Sequence, residues 1–193
     1  CCGSNHTSID SILEIIDEKG GPFTYDQIKE VNIETTTATK HHVGWEYKPS
    51  GTIGAQMNLA YATAITLLDG KCSVNQYTEK RIQSEDINKL IRKINITANE
   101  EFDSYGRDGR HHIKLKVVFT DGSEFTKEKT HAKGSMFHPL TADEVLEKYF
   151  DLTTTMFNKS DSKIILDNII NLESQNNIKD FLDELYKKHI TKD

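Results

Sequence analysis

The chain has little positive charge and few cysteines. Its 193 residues carry 24 Lys and Arg against 30 Asp and Glu, a formal charge of −6 at pH 7, and this acidic balance argues against a general nucleic-acid binder. Three cysteines, two of them adjacent at Cys1 and Cys2, form no disulfide framework and indicate a reducing compartment. With hydrophobic residues at 36% of the chain, we expect a globular cytoplasmic protein without nucleic-acid partners.

A membrane-spanning run is also missing. Residues 49–68 carry no charge, but glycines and several polar side chains interrupt them, whereas a spanning helix needs about 20 predominantly apolar residues. We expect no membrane contact here. The stretch instead predicts a helix over residues 54–69, buried nearly all round and ending at Gly70, after a loop over residues 41–51.

Metal and phosphate motifs are absent from the sequence as well. Histidines occur in two adjacent pairs, His41-His42 and His111-His112, and neighbours on a strand point to opposite sides rather than at one ion. We interpret both pairs as hydrated surface residues. Residues 51–54 (GTIG) lack the Lys-Ser/Thr and the preceding strand of a phosphate loop.

The patterns that are present predict an α+β fold followed by helices. An apolar stripe over residues 9–16 predicts a first helix that stops at residues 20–22 (GGP). Asp121-Gly122, between two strand-like runs, predicts an antiparallel hairpin. Farther along, a capping box at residues 141–144 (TADE) opens a series of helical patterns. We therefore predict an α+β domain with an antiparallel sheet over residues 1–134 and a helical segment over residues 135–193.

Two places carry residues suited to chemistry. Cys2 and His6 flank the start of the first helix, where the positive end of the helix dipole favours a thiolate or a bound anion. A small buried thiol and a polar neighbour of the helix cap explain the same residues structurally. Tyr61 lies with Gln56 in the uncharged stretch, where a buried hydroxyl commonly makes a structural hydrogen bond. Residue type alone leaves both alternatives open.

Several segments, in one order along the chain, resemble the C-terminal half of the MmgE/PrpD family. They are residues 1–10 (CCGSNHTSID), 55–70 (AQMNLAYATAITLLDG), 117–122 (VVFTDG), 131–134 (HAKG), 139–141 (PLT) and 148–150 (KYF). The resemblance covers nearly the whole chain, and several motifs in one order are far more specific than any single one.

The resemblance implies an architecture and a set of site residues. Family members include 2-methylcitrate dehydratase, cis-aconitate decarboxylase and iminodisuccinate epimerase, which are cofactor-free homodimers with a large helical domain and a smaller α+β lid. Residues 1–134 would be the lid, and the final helices would return to a helical domain encoded upstream of Cys1. The implied catalytic residues are Tyr61, Cys2 and His6, and the implied substrate-binding residues are Gln56 and Lys133.

The implied function is that of a lyase acting on a small di- or tricarboxylate. Dehydration like that of 2-methylcitrate fits best, in which a proton beside a carboxylate is removed and water is lost. Cys2 stands where the decarboxylase has a histidine, which argues against decarboxylation, and residues 57–60 (MNLA) replace the Phe-Ser-x-Pro of many members. An epimerase of the same family remains an alternative, as does a free-standing non-catalytic module for binding or assembly. Without a helical domain the chain is expected to be inactive, because a lid alone cannot exclude water from a site.

Overall fold

A computed structural model describes residues 1–189, without the side chains of residues 184, 185 and 187–189. The chain divides into two compact units between Leu140 and Thr141. The α+β class predicted from the sequence is confirmed. The last four residues of the predicted helical segment, 190–193, lie outside the described residues.

The first unit combines helices with four strands. Its α-helices are α1 (His6–Lys19), α2 (Thr37–Val43), α3 (Thr52–Gln56), α4 (Leu59–Asp69), α5 (Glu79–Ile82), α6 (Glu85–Ile91) and α7 (Glu100–Asp103). Its strands are β1 (Ile28–Thr35), β2 (Ile94–Ala98), β3 (Ile113–Phe119) and β4 (Glu124–Lys129). A short 3₁₀ turn, Gly3–Asn5, leads directly into α1.

The strands form one mixed sheet in the order β2-β1-β3-β4. Strands β1, β3 and β4 pair antiparallel, and the predicted hairpin joins β3 to β4 through Asp121-Gly122, with Gly122 at φ +86°. β2 departs from the expected antiparallel sheet, because it runs parallel to β1 with Val31 opposite Ile94. A parallel pair requires a long crossover connection, and the segment containing α2 to α6 supplies it.

The core of the first unit is built from α1, α4 and the sheet. Ile12 and Ile15 of α1 are fully buried together with Leu115 and Val117 of β3. Every residue from Leu59 to Leu67 in α4 is buried, which matches the absence of charge in this stretch. The threonine hydroxyls of α4 donate to carbonyls one turn earlier in the same helix, so its buried polar groups are satisfied.

The uncharged stretch forms two helices rather than the single helix predicted over residues 54–69. α3 ends at Gln56, and Asn58 caps α4 by accepting a hydrogen bond at Oδ1 from the amide of Tyr61 at 3.0 Å. The Nδ2 of Asn58 donates to the carbonyl of Trp45 at 2.8 Å. The predicted end of α4 at Gly70 is confirmed, with this residue in the left-handed region at φ +66°.

α2 occupies the beginning of the stretch expected to be a loop. Thr36 caps this helix by accepting a hydrogen bond from the amide of Thr39 at 3.2 Å. The helix then continues through residues 41–43 before ending at Gly44. Both histidines of the first pair are therefore helical, which separates their side chains by about 100° around the helix axis.

The second unit begins with the predicted capping box. The hydroxyl of Thr141 accepts from the amide of Glu144, whose carboxylate accepts from the amide of Thr141. Its helices are α8 (Ala142–Thr153), α9 (Lys159–Ile170) and α10 (Ile178–His189). The hydroxyl of Tyr149 donates to the carbonyl of Ser162 at 2.7 Å and joins α8 to α9. Among residues 1–189, no helix combines the length and the apolar character needed to cross a membrane.

Candidate functional site

The start of the chain is anchored to the end of α3. The amide of Cys2 donates to the carbonyl of Gln56 at 3.0 Å, and the Nδ2 of Asn5 donates to the same carbonyl at 3.1 Å. Asn5 is fully buried, whereas Cys2 is half-buried and its thiol is free. Two of the predicted site residues, Cys2 and Gln56, are thereby held side by side next to the first turn of α1.

Two further predicted residues belong to the same end of α1. His6 is its first residue and is exposed. The backbone amide of Lys133 donates to Oδ2 of Asp10 at 2.7 Å, and Asp10 lies one turn after His6 on the same face of the helix. Four of the five predicted residues therefore surround the first two turns of α1.

Tyr61 occupies a different environment. It is fully buried, and its ring packs between those of Tyr47 and Tyr77, with centroids 5.3 and 5.4 Å away. Its hydroxyl donates to the backbone carbonyl of Gln76 at 2.5 Å. Burial, reinforced by the neighbouring Tyr47, raises the pKa of Tyr61 well above its usual value. In this conformation the hydroxyl is a neutral donor committed to the protein backbone, and its predicted role as a proton donor stays a prediction.

The structure also brings together residues that no sequence motif connects. The Nδ1 of His42, on α2, lies 3.3 Å from Oγ of Ser4. On the loop before β3, the carbonyl of His111 accepts from the hydroxyl of Thr7 at 2.8 Å. The Nδ1 of His111 lies 3.4 Å from the hydroxyl of Thr39 on α2. We refer to His6, His42 and His111 as the histidine cluster.

Positive charge surrounds His111. Its pKa is lowered, first because the half-buried ring is desolvated and then because Arg110, His42 and His6 act on it as positive charges. Arg110 is held in place by its carbonyl, which accepts hydrogen bonds from two threonine hydroxyls at 2.6 and 2.8 Å. Because no acidic residue lies in the first turn of α1, the positive end of this helix dipole adds to the same field.

The side chains of His111 and His112 point in different directions, as predicted for adjacent residues. The ring of His112 is buried beneath Phe102 and Tyr105, 2.9 Å from the hydroxyl of Thr130 and 3.0 Å from a carboxylate oxygen of Glu128. The interpretation of this residue as a hydrated surface histidine is wrong, because His112, immediately before β3, is buried. No sequence motif signals the histidine cluster, whose members come together only through tertiary packing.

The site is suited to binding anions and moving protons. Among the side chains that the structure describes, no group of three or more from histidine, cysteine and acidic residues is arranged to bind a metal ion. Imidazoles can donate or accept protons near neutral pH. A guanidinium and a helix N-terminus both favour carboxylate groups.

A separate groove of about 710 Å³ lies on the first unit between the loop after α2 and helix α6. Trp45, Ile91 and Arg92 are among the residues that line it. None of the five predicted site residues lines this groove, so it does not add to the chemistry at α1.

Comparison with known proteins finds one family model and relatives named for the same enzyme. The family model of the MmgE/PrpD C-terminal domain matches residues 1–173. Cis-aconitate decarboxylase of Aspergillus terreus is 28% identical over 195 residues, covering 96% of this chain and 39% of its own length. A cis-aconitate decarboxylase-like protein of Aspergillus oryzae is 26% identical over 190 residues, covering 94% of this chain and 38% of its own length. The chain thus spans about two fifths of these curated relatives.

Proposed function

Because the chain belongs to the MmgE/PrpD family, we propose that it is the C-terminal part of a lyase acting on a small di- or tricarboxylate. The relatives are enzymes by name, and the chain covers only 39% of the length of the first of them. By the family resemblance, the proposed enzyme includes an N-terminal helical domain and acts as a homodimer. Residues 1–134 would form the lid over its site.

The proposed reaction is the removal of water from a substrate such as 2-methylcitrate. A base takes the proton from the carbon beside a carboxylate, the carbon–oxygen bond breaks, and the hydroxyl group leaves as water after receiving a proton. Such a reaction needs a positioned base, an acid and positive charge near the carboxylates. We assign proton transfer to His6 and Cys2, and carboxylate binding to Gln56 and Lys133.

One observation supports this assignment above the others. The backbones of Cys2, Gln56 and Lys133, from three separate parts of the chain, lie against the N-terminal turns of α1, which begins at His6. A helix N-terminus and neighbouring imidazoles provide the field that a polycarboxylate needs. Tyr61 stands apart from this group in the present conformation because its hydroxyl is bonded to Gln76.

Decarboxylation of cis-aconitate is the second candidate reaction. It is supported by the names of the relatives from the two Aspergillus species. By the family resemblance, Cys2 stands at the position of the decarboxylase histidine, which argues against decarboxylation and does not choose between dehydration and epimerisation. The two reactions are distinguished by their products, because one releases water and the other carbon dioxide.

The assignment is tested by substitutions in the longer protein that contains this chain. His6→Asn and Cys2→Ser are each expected to lower kcat/KM about 100-fold or more, the usual effect of removing a proton-transfer group. His138→Asn is the matched control, since His138 is exposed on the loop before the second unit, and it should retain full activity. If both substitutions leave turnover of every polycarboxylate unchanged, His6 and Cys2 have no part in the chemistry.

The proposal includes independence from metals and cofactors and a cytoplasmic location. Cofactor independence follows from the family resemblance, and all three cysteines are free thiols, as is usual in reducing compartments. Dialysis of the longer protein against a chelator is expected to leave its turnover unchanged. Loss of activity that is restored by a divalent cation would contradict this part of the proposal.

A further inference from the structure

We propose that His6, His42, His111 and Arg110 form a binding site for a carboxylate group of the substrate. The cluster is built from three separate elements: α1, α2 and the loop before β3. The identity of the ligand rests on the proposed function, whereas the affinity for anions rests on the cluster itself. Neither the sequence motifs nor the family resemblance assigns His42, His111 or Arg110 to a site.

The fold holds these three elements together through buried hydroxyl groups. Thr39 of α2 donates to the carbonyl of Arg110 at 2.8 Å, and Thr7 of α1 donates to the carbonyl of His111 at 2.8 Å. Thr7 and Thr39 are each about 1% exposed. The backbone of the loop is thereby fixed between the two helices, so the exposed side chains of His6, His42 and Arg110 extend from neighbouring, fixed parts of the fold.

The surrounding charges favour an anion. Arg110, His42 and His6 all act on His111 as positive charges. Two acidic residues of the adjoining elements accept hydrogen bonds from other groups: Asp103 accepts two from Thr37 at the far end of α2, and Asp10 accepts one from the amide of Lys133. Asp108, two residues before Arg110 on the loop, is exposed. A bound carboxylate would offset the repulsion among the cations and make charge-assisted hydrogen bonds with them.

The proposed site explains why a histidine, His6, stands at the first position of α1. A histidine at the first position of a helix faces the positive end of the dipole, where acidic residues are preferred. In α1 that position is held by His6, and no acidic residue lies in the first turn. A bound carboxylate would place a negative charge at this end of α1.

The test is a nuclear magnetic resonance titration of the 193-residue chain with citrate, a tricarboxylate. Citrate at millimolar concentration is expected to shift the imidazole resonances of His6, His42 and His111, and to bind more tightly as the pH falls from 7.5 to about 5.5, where imidazoles take up protons. Arg110→Gln and His42→Asn should each weaken binding about fivefold or more, because a charged hydrogen bond is lost. Both side chains are exposed, so the variants are expected to fold.

His41→Asn is the matched control, since it removes the neighbouring imidazole on the same helix, and it should leave the affinity within about twofold, the scale of an exposed charge at a distance. The inference is overturned if citrate shifts none of the three resonances or if His41→Asn weakens binding as much as His42→Asn. Phosphate binding more tightly than citrate would overturn the carboxylate assignment. Citrate binding by this chain, combined with no turnover by the longer protein, would overturn the proposed function and leave this inference standing.

Discussion

At the scale of single residues, the hydroxyl of Tyr61 has two alternative roles, one structural and one catalytic. The structure gives this hydroxyl a backbone acceptor, the carbonyl of Gln76, and removes it completely from solvent. The family resemblance gives the same hydroxyl a place in the substrate site. A catalytic role would require the segment around Gln76 to move away, because the proton is otherwise committed.

Tyr61→Phe is therefore expected to act mainly on stability. Leaving the carbonyl of Gln76 without its donor should lower the free energy of unfolding by about 1–2 kcal/mol, measured by urea denaturation. Tyr105→Phe is the control, because Tyr105 is half exposed, and it should change stability by less than about 0.5 kcal/mol. A fall in turnover of about 100-fold in the longer protein would instead establish the hydroxyl as a proton donor.

The lowered pKa of His111 predicts that acid destabilises the first unit. Desolvation and the cations nearby hold the pKa of this imidazole in the folded chain below its ordinary value of 6.5. The unfolded chain therefore takes up the proton first as the pH falls below 6.5, so stability is lost until the pH passes the folded-state pKa. His111→Asn should remove this part of the loss, seen as a flatter dependence of the unfolding free energy on pH below 6.5. An unchanged dependence would show that His111 does not carry the effect.

At the scale of secondary-structure elements, features that depend on adjacent residues were predicted correctly, whereas the pairing of distant segments was not. The hairpin at Asp121-Gly122, the end of α4 at Gly70 and the capping box at Thr141 each depend on a few adjacent residues, and all three are confirmed. The parallel pairing of β1 with β2 joins residues some sixty positions apart, and no local pattern specifies it. The histidine cluster was missed for the same reason, since its members meet only in the folded chain.

The break between α3 and α4 shows how a polar cap can be hidden in an apolar stretch. Asn58 is fully buried and joins two elements, because it caps α4 and donates to the carbonyl of Trp45. Periodicity registers only the spacing of apolar residues, so the uncharged stretch resembles one continuous helix.

Asn58→Ala is expected to lower the free energy of unfolding by about 2–4 kcal/mol, since the cap is lost and a buried carbonyl is left without a donor. The measurement is chemical denaturation followed by the fluorescence of Trp45. Asn95→Ala is the matched control: Asn95 is exposed and bonds only to another side chain, Asn32, through its Nδ2, and a change below about 0.5 kcal/mol is expected. Equal effects of the two substitutions would mean that Asn58 is no more than a surface amide.

At the scale of the whole molecule, the two units differ in how much of their apolar surface is covered. The first unit has a continuous core that includes α1, α4 and the sheet. In the second unit, apolar side chains such as Ile169, Ile170 and Leu172 remain exposed. We expect the upstream helical domain of the proposed enzyme to cover them, in line with the share of the relatives' length that this chain does not span.

We propose that this chain, together with that domain, forms a complete polycarboxylate lyase. The most direct measurement is turnover of 2-methylcitrate, cis-aconitate and iminodisuccinate by the longer protein and by the 193-residue chain alone, with the products identified by mass spectrometry. We expect the longer protein to remove water from 2-methylcitrate and the chain alone to convert none of the three acids. Turnover by the chain alone would contradict the need for a second domain, and a longer protein that binds these acids without converting any of them would contradict the assignment as a lyase.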